Sequence, residues 1–161
     1  MLFFLPAAQF AYRKGLGCTD VLLTISHHLQ KSLDAGMESY IVQLDFSAAF
    51  DRVSHRDILF KLKYIVIGRS LLSICREFLS NRRQLVVVDG ATSEWMPIVS
   101  DVSPGNVLGS LLFIIDTSEI FELVENRFYA YADNSTLLAV VHKTADRPAV
   151  AASLNRDLAS I

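Results

Sequence analysis

The chain has 161 residues, 52% of them hydrophobic, with a formal net charge of -2 and a pI near 6.0. That length fits one domain with a sizeable core, since chains near this size bury roughly 68–70% of their unfolded surface. A nearly balanced charge excludes a global positive field that draws the whole chain onto nucleic acid, two cysteines exclude a disulfide framework or a cysteine-rich zinc site, and no apolar run reaches the roughly 18 residues of a membrane span.

A mean hydropathy of +0.35 implies either a thick core or apolar faces made for neighbours. The opening Met1-Leu2-Phe3-Phe4-Leu5-Pro6 has no basic start and is cut by Pro6, so it is not read as a signal peptide. Cys18 and Cys75 fit a reducing compartment, and the expected location is intracellular, nuclear or cytoplasmic, with no membrane partner.

In chain order, Thr19 is placed to cap a helix over 20–35, with Val21, Leu22, Ile25, Leu29 and Leu33 on one stripe and Gly36 at its end. A strand over 40–45 leads into a turn at 47–53. Ser54 with Asp57 starts a helix over 56–65, and a second helix follows over 70–79. Residues 84–88 and 94–99 flank Asp89-Gly90, a pair that tolerates the positive φ of tight hairpins. Trp95 falls on the second of these strands, where core packing is expected of it.

Ser103-Pro104-Gly105 breaks the chain before an apolar helix over 107–124, interrupted near Asp116. Strands over 127–132 and 136–141 form a hairpin with Asp133-Asn134 at its tip, and Asp146 and Pro148 open a last helix over 149–161. The order predicts an α+β fold, a mostly antiparallel sheet packed against helices.

Asp45 and Asp133 each end an apolar, strand-like run. A carboxylate carried on the end of a packed sheet is costly to desolvate, and a hard cation is a common compensation. Brought together, the two make a site for Mg²⁺ or Mn²⁺ suited to phosphoryl transfer; held apart, they are ordinary strand-end and turn residues. The densest basic region, Lys61, Lys63, Arg76, Arg82 and Arg83, reads first as a solvated helix face and turn. The adjacent His27 and His28 point to different sides of their helix, and the chain has no G-x-S-x-G, Walker or H-E-x-x-H motif.

Four blocks then stand in order: QFAYRKGLGCTD at 9–20, LDFSAAFD at 44–51, VSDVSPGNVLGSLLF at 99–113 and YADN at 131–134. Together they resemble the reverse transcriptases, most closely those of non-LTR, LINE-like or jockey-type retrotransposons. The blocks match that family's QFGFRKGRST-type segment, its first catalytic block, its SGVPQGSVLGPLLF block and its YADD or FADD hairpin. They occupy roughly residues 9–142 of a single domain, 1–161.

The resemblance implies a reverse-transcriptase-like palm with partial fingers and the thumb absent, a palm-centred piece of a longer polyprotein. It implies an RNA-directed DNA polymerase that extends a primer 3′-hydroxyl with two Mg²⁺ or Mn²⁺ ions, its partners being an RNA template, a DNA primer and deoxynucleotides. Carried over residue by residue, Asp45, the backbone carbonyl of Phe46 and Asp133 face metal, and Asn134 stands where the family has a second Asp. Phe50 matches the residue packed under the incoming sugar, excluding a 2′-hydroxyl by its bulk, with core packing as the alternative. Gly105 and Gly109 match glycines that let backbone approach primer-template and nucleotide, and Arg13 matches a contact to template or nucleotide phosphates.

The departures imply impaired catalysis: Asn134 removes one negative charge from the metal site, Pro104 replaces a template-facing Gln and loses a backbone donor, and Asp101 replaces a Gly. The competing expectation is a non-catalytic descendant, a binding or interaction module or the remnant of a decayed element. A structural domain with accidental matches requires Asp45 and Asp133 to lie far apart.

Overall fold

The computed structural model describes residues 5–65, 68–102 and 105–161. They divide into two compact units, one made of residues up to Ser47 together with Thr117–Ile161, the other of Ala48–Asp116.

The first unit is built on a three-stranded antiparallel sheet. Helix α1 (Cys18–Asp34) precedes strand β1 (Glu38–Asp45), and the later strands β6 (Arg127–Tyr131) and β7 (Asn134–Val141) complete the order β1-β7-β6. Short helix α5 (Ile120–Leu123) and the C-terminal helix α6 (Arg147–Ser160) belong to the same unit. Side chains alternate across the strands, so each face gathers its own core. Phe128, Ala130, Leu137 and Ala139 pack with Leu154 of α6 on one face. Tyr129 and Leu138 pack with Phe10 and with Val21 of α1 on the other.

Helix α1 begins two residues earlier than Thr19 predicts. The Asp20 carboxylate accepts from the Gly17 N–H at 2.7 Å and so occupies an orphan donor at the helix start. Its end is as expected: Gly36 has φ 68° and donates to the Leu33 carbonyl. The β6–β7 hairpin closes one residue earlier than predicted, because Ala132-Asp133 forms the tip and Asn134 already pairs with Tyr131 as the first residue of β7.

At the start of β6, His28 of α1 stacks on Tyr129 with ring centroids 5.8 Å apart, and its Nδ1 lies 3.0 Å from an Arg127 N–H that donates to it. Burial, then the charges of Arg127, His27 and Lys31, hold the His28 pKa below its ordinary 6.5. The unfolded chain therefore takes up this proton first. The stabilisation is complete above pH 6.5 and declines as pH falls from there towards the folded value. Urea denaturation at pH 5.5 and 7.5 is expected to show lower stability at 5.5, with a smaller difference in His28→Gln; an equal difference in the two chains would assign the pH dependence to other groups.

The second unit contains a 3-10 turn (Phe50–Arg52) and helices α2 (His55–Tyr64), α3 (Arg69–Leu79) and α4 (Val107–Asp116). Two short antiparallel pairs lie between them in sequence, β2 (Arg83–Gln84) with β5 (Met96–Pro97) and β3 (Val87–Val88) with β4 (Ala91–Thr92). Ser54 caps α2 as its spacing predicts, its hydroxyl accepting from the Asp57 N–H at 3.3 Å. Asp89 and Gly90 have φ 50° and 81° in a two-residue turn. The predicted hairpin is thus present, but with short pairings in place of continuous strands. Trp95 falls between them and is 56% exposed, which corrects the expectation of core packing.

Within this unit Lys61 binds Asp116 through both its carbonyl, at 2.6 Å, and its carboxylate, at 3.0 Å. Arg82 binds the Asp101 carboxylate at 2.7 Å. Two of the five basic residues that look like a patch in sequence are therefore engaged by acids of the same unit.

Candidate metal centre

The register of β1 against β7 sets the geometry of this site. Asp45, the last residue of β1, lies directly opposite Asn134, the first residue of β7. Directly opposed residues of an antiparallel pair project from the same face. Asp133 immediately precedes Asn134 in the turn, so the two strand-end acids, 88 positions apart by their numbers 45 and 133, occupy one end of one sheet. The far-apart placement that accidental matches require is therefore not the one observed.

Asp45 is exposed and Asp133 half-buried. Neither carboxylate makes a hydrogen bond or ion pair among the described residues, in contrast to Asp101, Asp116 and Asp157. Asp45 borders a groove of about 360 Å³ whose lining also includes Cys18 and Val21 of α1, Gln43 of β1, and Tyr131 and Asn134. Phe46 follows directly after β1.

This donor set fits a divalent cation in part. Two unengaged carboxylates supply anionic oxygens, and the Asn134 amide adds a neutral one of weaker affinity for a hard ion. Among the described residues no group of three or more His, Cys, Asp or Glu is arranged to hold a metal ion.

The turn itself is strained. Ala132 has φ 57°, a left-handed conformation that costs a residue with a Cβ about 1–2 kcal/mol. Buried Gln9 bonds both backbone groups of this residue: its Oε1 accepts from the Ala132 N–H at 3.2 Å and its Nε2 donates to the Ala132 carbonyl at 3.5 Å. Gln9 belongs to the first sequence block, where nothing local marks a partner 123 residues away.

Arg13 turns inward, one terminal nitrogen donating to the carbonyls of Pro6, Ala7 and Gln9 at 3.0, 3.3 and 3.2 Å. That nitrogen holds its own loop.

The remaining sequence candidates belong to the second unit. Phe50 is half-buried and stacks on Phe113, ring centroids 4.4 Å apart, which matches the core-packing alternative for this ring. Gly105 has φ 85° and is exposed, and buried Gly109 donates from its N–H to the Asn106 side chain at 2.6 Å, an N-cap bond at the start of α4. Asp101 has φ 120°, so the residue that replaces a glycine does sit in a conformation suited to glycine. It is held there by Arg82, on both its carboxylate and its carbonyl, and by His55 Nε2 at 2.8 Å from the same carbonyl. Ser103 and Pro104 lie outside the described residues.

Residues 3–156 match the family model described as reverse transcriptase (RNA-dependent DNA polymerase). The chain belongs to the reverse transcriptase family. It is 30% identical to the RNA-directed DNA polymerase from mobile element jockey of Drosophila melanogaster, over 72% of this chain and 13% of that protein. Its identity to the probable RNA-directed DNA polymerase from transposon BS of the same species is 27%, over 83% of this chain and 16% of the relative. The jockey polymerase of Drosophila funebris is 28% identical over 84% of this chain and 14% of its own length.

The chain thus spans about one seventh of each of these relatives. Among solved structures, an apo telomerase from Candida tropicalis, truncated from its C-terminal domain, matches 89% of this chain with a TM-score of 0.57. At 13% identity and 32% coverage of that chain, this likeness speaks to the fold, an α+β reverse-transcriptase architecture. Reverse transcriptases depend in general on divalent metal ions. Among the described residues no helix is long and apolar enough to cross a membrane.

Proposed function

We propose that this chain is the palm-centred part of a non-LTR retrotransposon reverse transcriptase, with Asp45 and Asp133 as the residues that hold Mg²⁺ or Mn²⁺ and Asn134 as a weakened third position. The supporting observation is the β1–β7 register, which sets Asp45 against Asn134 beside Asp133. A bound divalent ion would neutralise phosphate charge during transfer to a primer 3′-hydroxyl, the chemistry that two-metal sites supply. The residues here supply two carboxylates for that task, with the Phe46 carbonyl next in the chain.

RNA template, DNA primer and deoxynucleotides are the proposed partners, and the full activity belongs to a longer polyprotein of which these residues are one part. Roles for Phe50 at the sugar, Gly105 and Gly109 at the primer-template, and Arg13 at phosphates rest on the sequence blocks alone. Asn134 also favours a second reading, a non-catalytic module that keeps the fold and binds a nucleic-acid duplex, because an amide leaves a cation site short of charge.

Primer extension on an RNA template separates the two. The expected result for the 161-residue chain is trace or no incorporation with Mg²⁺, more with Mn²⁺, and none in Asp45→Asn or Asp133→Asn. Robust incorporation that survives both substitutions would refute the proposed metal centre. Duplex affinity without any metal-dependent synthesis would favour the binding module.

A further inference from the structure

Gln9 is among the largest fully buried side chains of the described residues and is 1% exposed. A buried primary amide is costly unless its donors and acceptor are used, and here two of its three bonds go to one residue, Ala132. Oε1 accepts from the N–H groups of Ala11 at 3.0 Å and Ala132 at 3.2 Å, while Nε2 donates to the Ala132 carbonyl at 3.5 Å. The amide therefore reads both backbone groups of Ala132. Ala132 is the residue held at φ 57°, and the next residue is Asp133.

The base of this clamp is itself fixed. The Phe10 N–H donates to the Ala130 carbonyl and the Ala130 N–H to the Ala8 carbonyl, both at 2.9 Å, so residues 8–10 run along the free edge of β6. Arg13 donates to the Gln9 carbonyl at 3.2 Å. A strained residue persists only where its surroundings over-determine it. Among the described residues, the hydrogen bonds to Ala132 from outside the hairpin come from the Gln9 side chain.

We infer that Gln9 is a positioning residue: its amide holds Ala132 in the left-handed conformation and so fixes the direction in which Asp133 presents its carboxylate beside Asp45. This rests on the reading of Asp45 and Asp133 as a cation site. It gives the first sequence block a task inside the palm unit, carried by Gln9 directly and by Arg13 through the loop that bears it. A group that orients a metal ligand commonly changes metal affinity by about 10–100-fold when removed.

The test uses the whole 161-residue chain at a temperature where every variant is folded. It combines Mn²⁺ titration, followed by the paramagnetic signal of the free ion, with hydrogen exchange at the Ala132 amide. Gln9→Met is expected to weaken Mn²⁺ binding about tenfold and to speed exchange at Ala132 while Leu137 and Leu138 stay protected. Adding Ala132→Gly is expected to recover most of the affinity, because glycine adopts positive φ without steric cost. A merely structural loss would not be recovered in that way.

Where Gln9→Met fails to fold, Gln9→Asn keeps the amide and shortens its reach by one methylene, and the same loss and recovery are expected. Parent-like Mn²⁺ affinity in the folded Gln9 variant, with Asp133→Asn abolishing it, would overturn the positioning role alone. Mn²⁺ affinity indifferent to Asp133→Asn would overturn the cation site itself and the inference with it.

Discussion

Replacing Asp157 with alanine is expected to lower stability by about 4 kcal/mol, a large share of the roughly 5–15 kcal/mol that holds a domain folded. Asp157 lies on α6, is 2% exposed, and spends both carboxylate oxygens on the segment that leads into β6. One oxygen accepts from the Glu125 N–H at 2.9 Å; the other accepts from the Asn126 N–H at 3.0 Å and its side-chain Nδ2 at 2.7 Å. Hydrogen bonds to a charged acceptor contribute about 1.5–3 kcal/mol each, and truncation leaves two backbone donors unsatisfied.

The ionisation of Asp157 carries the same message. Burial alone pushes its pKa up, yet the bonds from Glu125 and Asn126, with the charge of Arg156, outweigh it and leave the carboxyl below its ordinary 3.8. The folded state therefore binds this proton less readily than the unfolded chain. Its stabilisation is present above pH 3.8 and is lost as pH falls through that value to the folded one. Urea denaturation is expected to show a lower midpoint with unchanged slope for Asp157→Ala, and a flatter acid limb. A loss below about 1 kcal/mol would mean that water satisfies the Glu125 and Asn126 donors instead.

Asp157 and Gln9 mark the limit of what the sequence displays. Features whose cause lies within a few residues are legible: Ser54 with Asp57, the positive φ of Asp89-Gly90, the stop at Gly36 and the break of the apolar helix at Asp116 all stand where local chemistry puts them. The family blocks likewise carried the family and the fold class. A buried polar side chain whose partner lies 31 or 123 residues away leaves no such local mark.

The hairpin tip shows the two influences in conflict. Asparagine tolerates a left-handed conformation better than alanine, so local preference centres the turn on Asp133-Asn134. Pairing of Asn134 with both Asp45 and Tyr131 moves the turn to Ala132-Asp133, where the Gln9 amide meets the strained residue. Trp95 departs from expectation for a related reason: the Asp89-Gly90 turn signals a hairpin, but pairing is confined to two separate two-residue stretches on each side, 83–84 with 96–97 and 87–88 with 91–92, and none of it includes residue 95.

Restoring an aspartate at 134 is expected to bring opposite effects with and without a divalent cation. Asp45, Asp133 and the new carboxylate would then share one sheet end, two of them directly opposed across β1 and β7. Like charges in such a pair repel and cost about 0.2–1 kcal/mol, so the cation-free melting temperature should fall in Asn134→Asp. A doubly charged ion about 4 Å from one added carboxylate gains roughly 2 kcal/mol even in water, which is about a 30-fold increase in affinity. With Mn²⁺ or Mg²⁺ in excess the variant should therefore melt above the parent, by mass action on the folded state. Asp133→Asn in the same background should remove the crossover. Melting curves for Asn134→Asp that coincide with and without the cation would mean that these side chains do not converge on a common ion, and the metal centre would have to be sought elsewhere.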